Sequence, residues 1–172
     1  MKANKVLVGS TVVAFVIAIG LFVYVLNISK AFSYLTSDSK ACINCHVMNT
    51  QYATWQHSSH ASVAGCADCH LPQDGVVSKY IAKAKDGFNH GVAFTFNNYA
   101  NAIKISDDGA RRAQDNCVSC HSSLALVITV NSDINHRYDE KTDKRCFECH
   151  KEVSHGSVRG LSAAPYNLGV LK

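Results

Sequence analysis

Cysteine is missing from most of this 172-residue chain. All eight cysteines lie in four short stretches, at 42–46, 66–70, 117–121 and 146–150, where two cysteines three residues apart are followed at once by a histidine. A disulfide framework would not leave every other position without cysteine, and a zinc knuckle would not require a histidine after every second cysteine. The distribution therefore argues against both of these structures.

The repeated spacing suits covalently bound haem instead. Two thiols three residues apart can form thioethers with both vinyl groups of one porphyrin, while the next residue's imidazole binds the iron. The predicted thioether residues are Cys42, Cys45, Cys66, Cys69, Cys117, Cys120, Cys146 and Cys149. The motif histidines are His46, His70, His121 and His150. The sequence therefore predicts four haem c groups, numbered haem 1 to haem 4 in chain order.

The chain is also too short to build an ordinary apolar core around four haems. Without its first thirty residues it offers roughly 140 residues, or about 35 per haem. We therefore expect a mainly α fold with much irregular loop, whose core is the haems themselves. The formal charge of +4 omits the haem propionates, so it implies no nucleic-acid partner.

Formal charge is absent from residues 6–28, which are rich in Val, Ile, Leu and Phe. As a helix this segment would span about 34 Å, against roughly 30 Å of membrane hydrocarbon. A cleaved signal peptide would have a shorter apolar region and a small-residue cleavage site, and neither fits well. We expect an uncleaved single transmembrane helix at 1–30 and a compact tetrahaem cytochrome c domain at 31–172.

Lysines lie on both sides of the apolar segment, so the positive-inside rule favours a cytoplasmic amino terminus only weakly. Covalent haem attachment takes place outside the cytoplasm, which places 31–172 in the periplasm. The expected location is the inner membrane, with the polar linker 31–40 too short to carry haem 1 far from the lipid.

Methionine is nearly absent as well, because Met48 is the only one besides Met1. Met48 follows Cys45 by three residues and would emerge on the same side of the porphyrin as His46, so the two cannot easily bind iron from opposite sides. Thioether ligation raises the iron potential relative to paired imidazoles. Met48 either binds the iron of haem 1 or packs against the haem edge.

Five histidines lie outside the haem motifs, namely His57, His60, His90, His136 and His155. An isolated histidine is more often structural than ligating, but four nearby irons in need of further ligands reverse that expectation. We predict iron ligation by His60, His136 and His155, with His90 as a reserve candidate.

Three features together resemble the tetrahaem quinol dehydrogenases of the NapC/NirT family over nearly the whole chain. They are the Trp-Gln-His-Ser-Ser-His segment at 55–60, the Cys-x-x-Cys-His-x-Met segment at 42–48 and the membrane anchor. The resemblance implies that His155 binds haem 2, His60 haem 3 and His136 haem 4. It also implies that Met48 replaces His46 on haem 1 and leaves the opposite face to Asp86 or to nothing.

The longest interval between motifs, 71–116, contains a helical pattern with lysines and an aspartate on one face, beside an apolar stripe. The residues on that face are Lys79, Lys83, Asp86 and His90. An ordinary solvated face is one interpretation. The family resemblance supplies another, because its members place a lysine and an aspartate seven residues apart beside haem 1 to bind quinol. Lys79 and Asp86 have that spacing, and Lys83 lies between them.

The resemblance also implies a function. Menaquinol would bind beside haem 1 at the lipid surface, and its electrons would pass through the four haems to a periplasmic reductase. The short length and the ending at 149–162 resemble the branch that serves a pentahaem nitrite reductase, which forms ammonium. Two alternatives stay open: a general quinol dehydrogenase serving nitrate or other reductases, and an electron-transfer or haem-sensing module without a quinol site.

Overall fold

The computed structural model describes residues 2–99, 103–131 and 144–156. These residues form helices, turns and loops, and no β-strand occurs among them. The chain divides into two compact units, Met1–Thr36 and Ser37–Lys172. The division lies six residues beyond the expected boundary at 30, because a 3-10 helix at Ala31–Leu35 follows the first α-helix and belongs to the same unit. The expected linker is therefore partly helical.

The first unit contains α1, Lys2–Ile28. Its segment Asn4–Ile28 has a mean hydropathy of 2.7, and none of its most apolar part is buried. The hydroxyls of Ser10 and Thr11 each donate to the carbonyl of Leu7 at 2.9 Å, so they satisfy their hydrogen bonds within the helix. A helix that is apolar on all sides suits hydrocarbon, as the uncharged segment predicts. It ends before Lys30, whose φ of 51° and ψ of 35° are left-handed.

The second unit contains seven α-helices within its described residues. They are α2 (Asn49–Gln56), α3 (Cys66–His70), α4 (Val76–Thr95), α5 (Asp107–Cys120), α6 (Ser122–Asn131), α7 (Cys146–Cys149) and α8 (Lys151–Ser154). Two 3-10 helices, Ser39–Asn44 and His46–Met48, precede α2. The helical pattern at 76–95 is thus confirmed as α4, which continues through Gly87 and Gly91. The apolar run at 124–130 is helical and forms most of α6.

The haem motifs all lie on short helical turns. The first occupies the two 3-10 helices, the second is α3, the third ends α5 and the fourth is α7. Helices of four to six residues are too short to be stable alone, so these turns need support from elsewhere.

Helix α5 supplies much of that support. Ser106 caps its amino end by accepting a hydrogen bond from the backbone of Gly109 at 3.1 Å, and acidic residues occupy its first turn. The buried residues of α5 are Gly109, Ala110, Ala113, Gln114 and Asn116. This face of small and amide side chains lets α3 and α7 approach closely.

The apolar core that the polypeptide builds for itself is small. In the described part of the chain, its buried hydrophobic residues are Ala41, Leu71, Ala110 and Ala113. Three of these are alanines. The length of the chain predicts this outcome, because so few residues per haem cannot also form a large core of side chains.

Candidate haem-binding and quinol site

The first two haem motifs adjoin through their sulfurs. Cys42 and Cys66 share a side-chain hydrogen bond, which raises the pKa of Cys42 and lowers that of Cys66 to about 6. The Ser39 hydroxyl, at the start of the first motif's helix, also accepts a hydrogen bond from the backbone of Cys66 at 3.0 Å. A thioether sulfur carries no proton, so in a haem-loaded chain this contact would place the attachment points of haem 1 and haem 2 next to each other.

The later motifs adjoin in the same way. Burial raises the pKa of Cys69, and the charge of Cys120 adds to the effect. Burial also raises the pKa of Cys117 to about 11, with contributions from Cys146 and Cys69. The second motif therefore neighbours the third, and the third neighbours the fourth. The four attachment points follow one another in chain order.

Two motif histidines each face a second histidine. The ring centres of His70 and His155 are 6.2 Å apart, and those of His121 and His60 are 6.0 Å apart. An imidazole nitrogen binds a first-row metal at about 2.0–2.1 Å and lies about 1.1 Å from the ring centre, so two rings on opposite sides of one iron have centres about 6.2 Å apart. The ring separation within each pair is therefore the one expected for two imidazoles that bind the same iron atom.

In each pair, the histidine that lies outside the haem motifs also keeps its Nε2 nitrogen available to bind iron. His155 donates from Nδ1 to the carbonyl of Gln51 at 3.0 Å, and His60 donates from Nδ1 to the carbonyl of Val153 at 3.0 Å. A carbonyl only accepts, so Nδ1 must carry the proton and Nε2 keeps its lone pair for a metal. Burial lowers the pKa of both His70 and His155, which favours the neutral form that binds iron.

Close backbone contact holds His155 in place. The backbone N–H of the next residue, Gly156, donates to the carbonyl of Thr54 at 2.9 Å. A Cβ at Gly156 would lie 2.8 Å from the carbonyl oxygen of His57, so only glycine fits there without movement. The end of α2 therefore sets the position of His155.

The remaining histidines have different surroundings. His57 donates to the carbonyl of Ala53 in its own helix at 2.8 Å and is exposed. His90 is exposed on α4. His136, the predicted partner of haem 4, lies outside the described residues, and so does the tail at 157–172.

Haem 1 has a different environment. The ring of His46 meets Phe94 of α4 edge-on, with centres 6.4 Å apart and planes at 73°. Met48 is half-buried, and its N–H bonds to the carbonyl of Cys45 at 3.0 Å, which closes the turn that carries both candidate ligands. In the described part of the chain, no second histidine makes a ring contact with His46.

Helix α4 approaches this first motif through the side chains of Phe94 and Lys83. The side chains of Lys83 and Cys42 lie near each other, in addition to the contact of Phe94 with His46. Burial lowers the pKa of Lys83, and the nearby charge of Lys79 lowers it further. The Lys83 ammonium also lies 5.4 Å from the centre of the Tyr80 ring. The structure therefore brings the two predicted quinol-site lysines together, and it places one of them close to the haem 1 peptide.

Asp86, the third predicted quinol-site residue, is paired with Arg112 of α5. Arg112 donates from Nη1 to Oδ2 of Asp86 at 2.8 Å and from Nη2 to Oδ1 at 3.1 Å. The hydrogen bond to Asp86 raises the pKa of Arg112. The sequence patterns did not reveal this partner, because 26 residues separate the two. Arg112 follows the buried Gly109 by three residues and so shares its face of α5, a relation that only the structure shows.

Two more residues of α5 were not predicted. The amide oxygen of Gln114 accepts from the backbone N–H of Cys146 at 2.8 Å. The side-chain N–H groups of Asn116 donate to the carbonyls of Cys69 and Leu71 at 2.9 and 2.8 Å. Helix α5 thus binds the second and fourth haem motifs by their backbones while carrying the third itself.

An apolar helix followed by four haem motifs, in a framework whose described residues are mainly helical, defines a membrane-anchored multihaem cytochrome c. The chain belongs to the NapC/NirT cytochrome c family, whose N-terminal region matches residues 2–160. The predicted family is confirmed, and membership implies covalently bound haem and a role as an electron-transfer subunit.

Named relatives agree with this assignment. The chain is 59% identical over 173 residues to the cytochrome c-type protein NrfH of Wolinella succinogenes, covering 99% of this chain and 98% of that protein. It is 31% identical over 133 residues to NapC of Escherichia coli K12, covering 66% of each. A chain in the crystal structure of the cytochrome c nitrite reductase NrfHA complex bound to the inhibitor HQNO has the same fold, with a TM-score of 0.61 and 24% identity over 92% of this chain and 99% of that one.

Proposed function

We propose that this chain oxidises a membrane quinol and passes the electrons through four haem c groups to a periplasmic pentahaem nitrite reductase. The observation that carries the proposal is the meeting of α4 with the haem 1 motif, where Lys83 lies near Cys42 and Phe94 contacts His46. The close relation to the Wolinella protein NrfH over almost its whole length supports the choice of partner.

The proposed iron ligands include the two histidine pairs described above. His70 and His155 would hold haem 2, and His121 and His60 would hold haem 3. His136 serves haem 4 opposite His150, as the family resemblance implies. Met48 serves haem 1 in place of His46. Haem, when bound, supplies one-electron redox chemistry, and the adjoining motifs arrange the attachment points in the order 1, 2, 3, 4.

The proposed substrate is menaquinol, and α4 supplies the groups that bind it. Quinol oxidation releases two protons with two electrons, so the site needs a proton acceptor and a cation. Asp86 accepts the two quinol protons one after the other and passes each to water, while Lys79 and Lys83 stabilise the oxygen as it becomes anionic. Tyr80 and Phe94 provide aromatic surface for the quinone ring beside the haem 1 motif.

The proposed location is the inner membrane, with the amino terminus in the cytoplasm and residues 31–172 in the periplasm. The 25-residue apolar span supports a single crossing. The attachment chemistry of haem c supports the periplasmic side for every motif.

Reduction of the purified full chain by a menaquinol analogue tests the quinol site. We expect Lys79→Gln and Asp86→Asn to slow this reduction, while dithionite still reduces all four haems. If both variants oxidise quinol as fast as the parent chain, the polar face of α4 is only a solvated surface.

The NapC similarity supports a second candidate, a general quinol dehydrogenase that serves nitrate or other periplasmic reductases. Co-isolation from native membranes distinguishes the two. A multihaem nitrite reductase among the bound proteins supports the first proposal, whereas a nitrate reductase without it supports the second.

A further inference from the structure

The Arg112–Asp86 pair differs in burial from the other ion pair that joins α4 to α5. The side chains of Arg112 and Asp86 are 12% and 29% exposed, whereas those of Lys85 and Asp108 are 58% and 44% exposed. Exposed pairs contribute little because water and salt screen them. A shielded guanidinium with two donors to one carboxylate is stronger and directional. Arg112 is therefore suited to control the geometry of Asp86.

The two hydrogen bonds fix the carboxylate in one plane. Each oxygen of Asp86 receives one N–H from Arg112 and keeps a further lone pair for another donor. A single donor would leave the carboxylate free to rotate about its bond to Cβ. This two-donor contact with Arg112, the fork, therefore leaves the outer lone pairs of Asp86 in a defined direction. A proton acceptor needs such a direction to form a hydrogen bond with a substrate hydroxyl.

Arg112 is itself anchored in the framework of the haem motifs. It lies on the α5 face that includes the buried Gly109 and Asn116, and Asn116 binds the backbone of the second motif. Asn116 donates to the carbonyls of Cys69 and Leu71, the residues on either side of His70. The Arg112–Asp86 pair therefore lies close to the second haem motif.

We propose that Arg112 is a positioning residue of the quinol site, which holds the Asp86 carboxylate in its accepting orientation and balances its charge beside haem 2. This inference rests on the proposed quinol oxidation. Arg112 does not touch the substrate in this arrangement. Its effect on proton transfer passes through Asp86, and its effect on the haem passes through its charge.

Four variants of the full, haem-loaded chain in lipid vesicles test the proposal: Arg112→Gln, Arg112→Lys, Asp86→Asn and the double variant Arg112→Gln/Asp86→Asn. Lys85→Gln is the matched control, because it removes the exposed link between the same two helices. We expect Arg112→Gln to lower kcat for a menaquinol analogue by about tenfold with little change in KM, since misplacement of a catalytic group costs rate more than binding. Adding it to Asp86→Asn should lower kcat no further, and Lys85→Gln should stay within about twofold of the parent.

Redox titration supplies a readout that a merely structural role would not change. Loss of the positive charge in Arg112→Gln should lower the potential of one haem, loss of the negative charge in Asp86→Asn should raise it, and the double variant should return it towards the parent value. Arg112→Lys keeps the charge but not the fork, so it should lower kcat while leaving the potential nearly unchanged.

The outcomes separate this proposal from the quinol site itself. If Asp86→Asn leaves quinol oxidation unchanged, the proposed quinol site is wrong, and the positioning role falls with it. If Asp86→Asn slows oxidation but Arg112→Gln does not, or if the two effects multiply in the double variant, only the role of Arg112 is wrong. Should Arg112→Gln fail to load four haems, Arg112→Lys decides the question, and parent-like kcat in that variant overturns the proposal.

Discussion

A single methyl group at Gly156 should disturb the iron of haem 2. A Cβ there would lie 2.8 Å from the carbonyl oxygen of His57 and 3.1 Å from that of Thr54. An unstrained contact needs roughly 3.4 Å, so the backbone must retreat by about 0.6 Å. Both opposing atoms belong to the backbone of the α2 end, which cannot rotate away as a flexible side chain would.

His155 precedes Gly156 directly, so the backbone displacement at position 156 also moves the imidazole of His155. A metal-to-nitrogen bond tolerates a displacement of only about 0.2 Å, so in the proposed site the Gly156→Ala change should weaken or break the contact of His155 with the iron. The cost to the free energy of unfolding should be about 1–3 kcal/mol, as for other overpacked sites. All four haems should stay attached, because the thioethers are untouched.

Electron paramagnetic resonance and carbon monoxide binding measure this effect. We expect Gly156→Ala to convert one haem partly to a high-spin form and to let its ferrous iron bind carbon monoxide. Gly91→Ala is the control, since nothing lies within 4 Å of a Cβ there and helix α4 should gain up to about 1 kcal/mol. A low-spin spectrum identical to that of the parent in Gly156→Ala would refute the assignment of His155 as an iron ligand held by α2.

Further predictions concern other contacts. His60→Ala should make one haem high-spin, a different haem from the one altered by His155→Ala, as magnetic circular dichroism of the single and double variants can show; altered signals from the same haem would contradict the pairing. Met48→His should change the spectrum and potential of haem 1 alone, and an unchanged redox titration would mean that Met48 only packs against the haem. Asn116→Ala should lower the free energy of unfolding by about 1–3 kcal/mol, because two buried carbonyls lose their donors, whereas Asn98→Ala in the exposed loop after α4 should not. The denatured chain should have the mass of the polypeptide plus four haems, and release of haem by acidified acetone would contradict thioether attachment.

How much of this site the sequence could predict depends on the range of the contacts. The haem motifs are local, since five consecutive residues carry the thiols and the imidazole, and they could be identified without any fold. The polar face of α4 follows from helical periodicity alone. The partners of His70 and His121 came only from family resemblance, because His155 and His60 reach them across long stretches of chain.

The contacts made by α5 had no comparable local signal. Asn116 binds carbonyls 45 and 47 residues away, and Gln114 binds a residue 32 positions ahead. An amide side chain in a helix reads as an ordinary polar residue until the fold shows that it is buried. Nothing in the spacing of Arg112 and Asp86 identifies them as a pair, for the same reason. Sequence patterns therefore predicted what each motif binds, but not what holds the motifs together.

That division has a physical cause in the size of the motifs. A helix of four or five residues forms too few hydrogen bonds to offset the conformational entropy lost on nucleation. Contacts with other parts of the chain must therefore hold α3 and α7 in place. Helix α5 is long enough to form, and it fixes the other two through side-chain bonds to their backbones rather than through apolar packing. Bonds to the backbone hold the motif while leaving its cysteine and histidine side chains for the cofactor. An amide face on α5 therefore serves a haem protein better than a leucine face would, because leucine would occupy the volume in which the porphyrins must pack.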